Sequence, residues 1–172
     1  MATEREELRD FLEFMAITGL RLVEAVASWN LIVDLAKENR LSEYYDAEKE
    51  VLEHYKFKDK FLRKGKKALI SFVPKEFIKR ISNASYVPNA KSLIKMVSRT
   101  GLSSRFSDIR EFHASVMTKY LNQSEINFLH GRIGTSVFMQ NYFNPAWIGD
   151  LKQRVFKGIA EIQKKLRKVK GE

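Results

Sequence analysis

Three arginines and a late tyrosine stand out as the residues able to do chemistry: Arg21, Arg110, Arg132 and Tyr142. Arg21 follows Thr18-Gly19-Leu20 at a glycine-marked helix start inside an apolar stretch, where a charged side chain is costly to bury. A helix start and a guanidinium together make an anion site, because the backbone amides and the guanidinium fork can face the same phosphate. Glu24, one turn on, is spaced to hold that fork. Arg110 lies in Ser107-Asp108-Ile109-Arg110, and Arg132 ends Leu129-His130-Gly131-Arg132. Tyr142 follows ten residues after Arg132, before Phe143-Asn144-Pro145. A free phenol has a pKa of about 10, and nearby guanidiniums lower it while binding a phosphate under attack. Such a set can neutralise the charge that builds on a phosphodiester in its transition state, a task many nucleases give to two metal ions. No cluster of carboxylates or histidines in the sequence suggests a metal site.

The elements that must position these residues read as mainly helical. Leu8, Phe11, Leu12, Met15 and Ala16 give an amphipathic helix over Glu4 to Ile17, ended by Thr18-Gly19. A second runs from Arg21 to about Trp29, followed by the short apolar run Leu31 to Leu35. Lys37 to Lys60 is charged and tyrosine-rich, and its pattern predicts a helix over Ser42 to Tyr55 with Ser42 as N-cap. Two β-prone runs, Phe61-Leu62 and Leu69 to Val73, flank Lys64-Gly65-Lys66-Lys67 and predict a hairpin within Phe57 to Val73. Short helices follow over Glu76 to Ile81 and Ala90 to Val97. Ser107 or Asp108 is predicted to cap a helix carrying Ile109, Phe112, Val116 and Tyr120, and Ser124 a segment to Leu129. Thr135 to Tyr142 reads as a helix broken by Asn144-Pro145, and a last amphipathic helix spans about Ile148 to Lys168.

These segments resemble the catalytic domain of tyrosine recombinases (integrases), and most closely those of archaeal viruses and plasmids. Thr18-Gly19-Leu20-Arg21, with Glu24-Ala25, is similar to the family's first arginine motif. Asp108-Ile109-Arg110 is similar to the second, with Ser107 where the family usually has histidine. Gly131-Arg132 stands where Gly-His is usual, although His130 leaves an alternative register open. The segment from Thr135 to Tyr142 resembles the helix that leads to the nucleophile. The resemblance implies Arg21, Arg110 and Arg132 as phosphate ligands and Tyr142 as nucleophile. It implies a hairpin lysine as the acid that protonates the leaving 5′ oxygen, with Lys64 the best match and Lys66 and Lys67 as alternates. His113 reads as an ordinary histidine on a partly buried helix.

The resemblance further implies a mainly α catalytic-domain fold with a small β-hairpin or sheet. Residues 1–172 would form a single C-terminal catalytic domain of an integrase, with the family's N-terminal DNA-binding domain absent. The implied activity is site-specific DNA integration and recombination through a 3′-phosphotyrosine intermediate. No cofactor or metal is implied. The partner is double-stranded DNA at attachment sites, with self-association on it, and Ile148 to Lys168 is a segment that relatives exchange between protomers. Two alternatives share part of the pattern: relaxation of supercoils as in type IB topoisomerases, and a non-catalytic basic DNA-binding domain with a structural Tyr142.

Composition sets outer bounds. The 172 residues suit one compact domain, and 44 % hydrophobic content supports a real core. A net charge of +10 favours an anionic partner. The stretch Asp150 to Glu172 carries eight Lys/Arg against three Asp/Glu, which suits either a solvated helix face or a DNA-touching tail. The chain has no cysteine, so disulfides, thiolate metal sites and a cysteine nucleophile are excluded. That fits an intracellular, cytoplasmic protein. No apolar run reaches the roughly 18–20 residues a membrane span needs.

Overall fold

The computed structural model describes residues 4–101, 105–132, 140–169 and 171. It is mainly helical with a small antiparallel sheet. Helix α1 (Glu4–Thr18) buries Phe11, Met15 and Ala16 of the face its periodicity marks, with Leu8 and Leu12 half-buried, and buries Phe14 and Ile17 beside that face as well. Helix α2 (Leu22–Lys37) is one continuous helix. Its predicted end near Trp29 fails because Asn30 spends its polar groups outside the helix. Its side chain donates to Val87 O at 3.2 Å and accepts from Val87 N–H at 2.9 Å. Trp29, Leu31, Ile32, Val33 and Leu35 are all buried, so the helix is apolar on most sides and its period is blurred.

The predicted helix over Ser42 to Tyr55 does not form. Strands β1 (Tyr45–Asp46) and β2 (Val51–Leu52) pair antiparallel there, with Tyr45 opposite Leu52. Asp46 Oδ1 accepts the Glu48 and Lys49 amides at 3.0 and 2.9 Å, and Glu50 takes φ 54°, so local turn chemistry wins over helix propensity. A buried polar chain fixes the sheet to α2. Tyr44 Oη meets Ser28 Oγ at 2.7 Å and His54 Nδ1 at 2.6 Å, and His54 Nε2 meets Ser71 Oγ at 2.8 Å.

After the one-turn helix α3 (Lys58–Phe61), the hairpin is shorter than predicted. Strand β3 (Leu62–Arg63) pairs with β4 (Lys66–Lys67) around Lys64-Gly65. The second apolar run turns away. Strand β5 (Ser71–Phe72) pairs instead with β2, Val51 opposite Phe72, and completes a sheet of order β1-β2-β5.

Helices α4 (Lys75–Ser82) and α5 (Ala90–Arg99) follow close to expectation. In α6 (Phe106–Met117) the N-cap is Arg105, and Asp108 accepts the Arg105 amide at 2.7 Å from inside the first turn. Asn122, not Ser124, caps α7 (Gln123–Leu129), exchanging bonds of 2.9 Å each way with Glu125. Of the predicted helix to Tyr142, residues 135–139 lie outside the described residues, and Gln140 to Tyr142 are helical. Asn144 then caps α8 (Pro145–Val169), with proline at its first position. Helices α1, α6 and α8 pack on one another, and α2 packs on α4. Arg154 ties α8 to α7 through a two-pronged pair with Glu125 at 2.7 and 2.8 Å. Part of the C-terminal basic run is therefore structural. Among the described residues no single helix is long and apolar enough to cross a membrane.

Candidate active site

The site is built on two glycine turns. Gly19, between α1 and α2, has φ +70°, and Gly131, after α7, has φ +68°; glycine alone takes this region without strain. Both are also points of close approach. A Cβ on Gly19 would lie 2.5 Å from His130 Nε2 and 2.6 Å from His113 Nδ1. A Cβ on Gly131 would overlap the Lys67 carbonyl, 2.6 Å from its carbon. The hairpin base is thus seated directly on the turn that presents Arg132.

Arg110 clamps the two turns together. Its Nε donates to Gly19 O at 3.0 Å and its Nη2 donates to His130 O. A planar guanidinium can reach two carbonyls at fixed angles, which a lysine cannot. Arg110 is half-buried, and its pKa falls to about 10. Burial is the main cause, followed by repulsion from Arg21 and Arg132, partly offset by Glu24. Arg110 therefore lies within the field of both Arg21 and Arg132, although the three come from separate elements. No described carboxylate forms an ion pair with Arg110 or Arg132.

Glu24, 1 % exposed, is the counter-charge at the cluster. It accepts Arg21 Nη1 at 2.9 Å and, more weakly, the Arg21 amide at 3.4 Å. Arg63 Nη2, from strand β3, lies 3.8 Å from the same Oε1. Arg63 is a member of the cluster that sequence reasoning missed, since only the tertiary packing of the hairpin brings it to Glu24. Lys64, beside it, is exposed at the hairpin tip, as are Lys66 and Lys67 at the strand positions that follow. No described interaction joins Lys64 to Arg21, Arg110 or Arg132.

Under the cluster sit His113 and His130, both buried, with Nδ1 and Nε2 2.8 Å apart. Burial pushes their pKa values down to about 3 and about 2; Arg110 adds to both, and the partner imidazole adds to that of His130. Both rings are neutral, so one donates to the other. His130 is consumed in this pair and its Nδ1 has no described partner. Arg132, not His130, is the exposed side chain of that turn. Ser107 is exposed on the first turn of α6.

Tyr142 is not brought to the arginines. Its ring is fully buried, and its hydroxyl donates to Glu53 Oε2 at 2.6 Å. Tyr55 Oη donates to the same oxygen at 2.7 Å, and Lys56 Nζ to Oε1 at 2.9 Å. The Tyr142 ring meets Tyr55 edge-on at 5.6 Å, and Lys49 Nζ lies 4.5 Å from its centre. Burial raises the Tyr142 pKa well above the ordinary phenol value, and the bond to the Glu53 carboxylate raises it further. The arginine-lowered phenol expected from the sequence is absent in this arrangement. Burial raises the Glu53 pKa, but the bonds from Tyr142, Tyr55 and Lys56 outweigh it, so the carboxylate stays ionised. Glu53 was not foreseen; nothing in its sequence neighbourhood marks it.

No protein-family model, curated protein or solved structure matches the chain.

Proposed function

We propose that this chain is the catalytic domain of a tyrosine recombinase, an integrase that cuts and rejoins double-stranded DNA through a 3′-phosphotyrosine. The observation that carries the reading is the convergence of Arg21, Arg110 and Arg132 on two glycine turns, with buried Glu24 as the carboxylate among them. Like charges repel, so a site that collects them is relieved by a bound anion. A DNA phosphate between these guanidiniums would have both non-bridging oxygens neutralised.

In the reaction, Tyr142 gives its proton to water as its Oη forms a bond to phosphorus, the P–O5′ bond breaks, and Lys64 gives the leaving oxygen its proton. The ester energy is kept in the phosphotyrosine, so a 5′ hydroxyl reverses the step and releases Tyr142. The arrangement described precedes attack, because Tyr142 must first leave Glu53. Tyr142 burial favours a second reading, a basic DNA-binding domain in which Tyr142 is structural.

A nicked DNA substrate, which traps covalent adducts, separates the two. With chelator present, the recombinase reading expects a protein–DNA adduct that Tyr142→Phe abolishes. DNA binding without adduct, indifferent to Tyr142→Phe, supports the binding domain. Relaxation of supercoiled DNA at arbitrary sites, without strand exchange, would place the activity with type IB topoisomerases.

A further inference from the structure

Tyr142 occupies an unusual place in its own segment. Gln140, Asn141, Phe143, Asn144, Pro145 and Ala146 are all exposed, and Tyr142 alone among them is buried. Phe143, the next aromatic, is 67 % exposed. Burial in residues 140–146 is thus concentrated in one side chain rather than spread over a continuous apolar face. The socket that receives it is polar at its base. Glu53 is 5 % exposed, and its Oε2 accepts both the Tyr142 and the Tyr55 hydroxyls. The walls are the edge-on Tyr55 ring and the Lys49 ammonium over the Tyr142 face. Lys49 is itself steered by Asp46, 3.7 Å away, and Lys56 closes the far oxygen of Glu53.

We propose that Glu53, with Tyr55 and Lys49 around it, is a docking cradle that stores Tyr142 away from the arginine cluster, so that release from Glu53 is a separate step before chemistry. The inference rests on the reading of Tyr142 as nucleophile. Its physical content is a competition. At Glu53 the phenol is held as a donor and keeps its proton. A hydrogen bond to a charged group is worth on the order of ten- to a hundredfold in such an equilibrium. Because one oxygen serves two phenols, the Tyr55 bond persists when Tyr142 departs, and the carboxylate is not stranded. Glu53 is a positioning residue; it takes no part in the bond changes at phosphorus.

The test uses the whole chain and two readouts. The first is nitration by tetranitromethane, mapped by mass spectrometry. Half-exposed Tyr86 serves as an internal standard and fully buried Tyr44 as a check that the core is intact. In the native chain Tyr142 is expected to react at least about tenfold more slowly than Tyr86. Glu53→Gln, which keeps the size and removes the charge, should narrow that gap about tenfold or more with Tyr44 still unmodified. The second readout is adduct formation on nicked DNA, which Glu53→Gln should speed by a similar factor at unchanged DNA affinity. If Glu53→Gln exposes Tyr44, Glu53→Asp replaces it, since it keeps the charge but draws it back by one methylene. A structural tyrosine would give no adduct in either variant, whatever its nitration rate. Tyr142 nitrated as fast as Tyr86 in the native chain overturns the cradle. So do folded variants whose nitration and adduct rates match the native chain, and in that case the adduct itself leaves the recombinase reading standing. No adduct from the native chain or any variant overturns both.

Discussion

Seating the hairpin on Gly131 makes a prediction with an internal control. Gly131 and Gly65 share nearly the same backbone, φ +68° and +74°, so alanine at either pays about the same conformational cost, roughly 1–2 kcal/mol. They differ in surroundings. A Cβ on Gly65 meets nothing within 4 Å, whereas one on Gly131 runs into the Lys67 carbonyl and lies 3.3 Å from the Ala68 nitrogen. These obstacles are backbone and cannot rotate aside. Overpacking of this kind costs about 1–3 kcal/mol more. Gly65→Ala should therefore cost about 1–2 kcal/mol and Gly131→Ala about 2–5 kcal/mol. Alanine also restricts the unfolded chain, but that gain is common to both and cancels in the difference. Urea unfolding of the two variants, with unchanged m-values, gives that difference directly. Anion affinity supplies a second reading, because moving the hairpin base shifts Arg132, the next residue, and Arg63. Gly131→Ala should weaken phosphate-backbone binding while Gly65→Ala leaves it nearly unchanged. Equal stability costs in the two variants would refute the seating of β4 on this turn.

Arg110→Lys should destabilise by about 1–3 kcal/mol, since one ammonium cannot serve both Gly19 O and His130 O and a buried carbonyl is left unpaired; an unchanged urea midpoint would sink the clamp. Arg132→Ala should be within about 0.5 kcal/mol of the native chain, because no described group pairs with its side chain. On the proposed reading it should nevertheless lower the slope of log affinity for DNA against log salt by about one, and an unaltered slope would remove Arg132 from the phosphate site. Acid should unfold the chain early. All three histidines, His54, His113 and His130, have folded pKa values depressed from 6.5 to about 3, 3 and 2. Above pH 6.5 they are neutral in both states and contribute no pH dependence. Below it the unfolded chain takes up protons the folded chain refuses, so stability falls by about 1.4 kcal/mol per pH unit per histidine, about 4 kcal/mol for three. Equal urea midpoints at pH 7 and pH 5 would contradict their burial.

The sequence was most legible where local pattern and tertiary demand agree. Phe11, Met15 and Ala16 mark the buried face of α1, and Gly19 its end, because one face meets the core and the turn needs φ > 0. It misled over Ser42 to Tyr55, where helix-compatible residues are held as strands by the Asp46 turn and by Tyr44 reaching into α2. Leu69 to Val73 was legible as a strand but not in its partner. Short apolar runs carry no register information, and β5 found β2 rather than β3. At the site, Arg21 and Glu24 were readable as a pair because they are one helical turn apart. Arg63 and Glu53 were not, since each matters only through a neighbour brought in by folding: Glu24 for one, Tyr142 from 89 residues away for the other.

The separation of charge from nucleophile is what the sequence could least convey, and it gives the proposed site its logic. A phenol near three guanidiniums would ionise more easily and meet its phosphate there. The same phenol on a buried carboxylate is held protonated, as the upward shift of Tyr142 shows. On the proposed reading, one side chain would have two acidities, set by which of two oppositely charged sockets it occupies. Both sockets are anchored in the same run of chain. Glu53 and Tyr55 precede the hairpin, the Tyr55 amide bonds Leu69 O just after it, and the hairpin base lies on the Gly131 turn. A perturbation that displaces the hairpin therefore touches the arginine cluster through Gly131 and Arg63, and the cradle through Tyr55. For this reason Gly131→Ala should alter Tyr142 nitration as well as anion binding, while Gly65→Ala, at the far tip, should alter neither. Tyr142 nitration unchanged in a folded Gly131→Ala variant would show the two sockets to be mechanically independent.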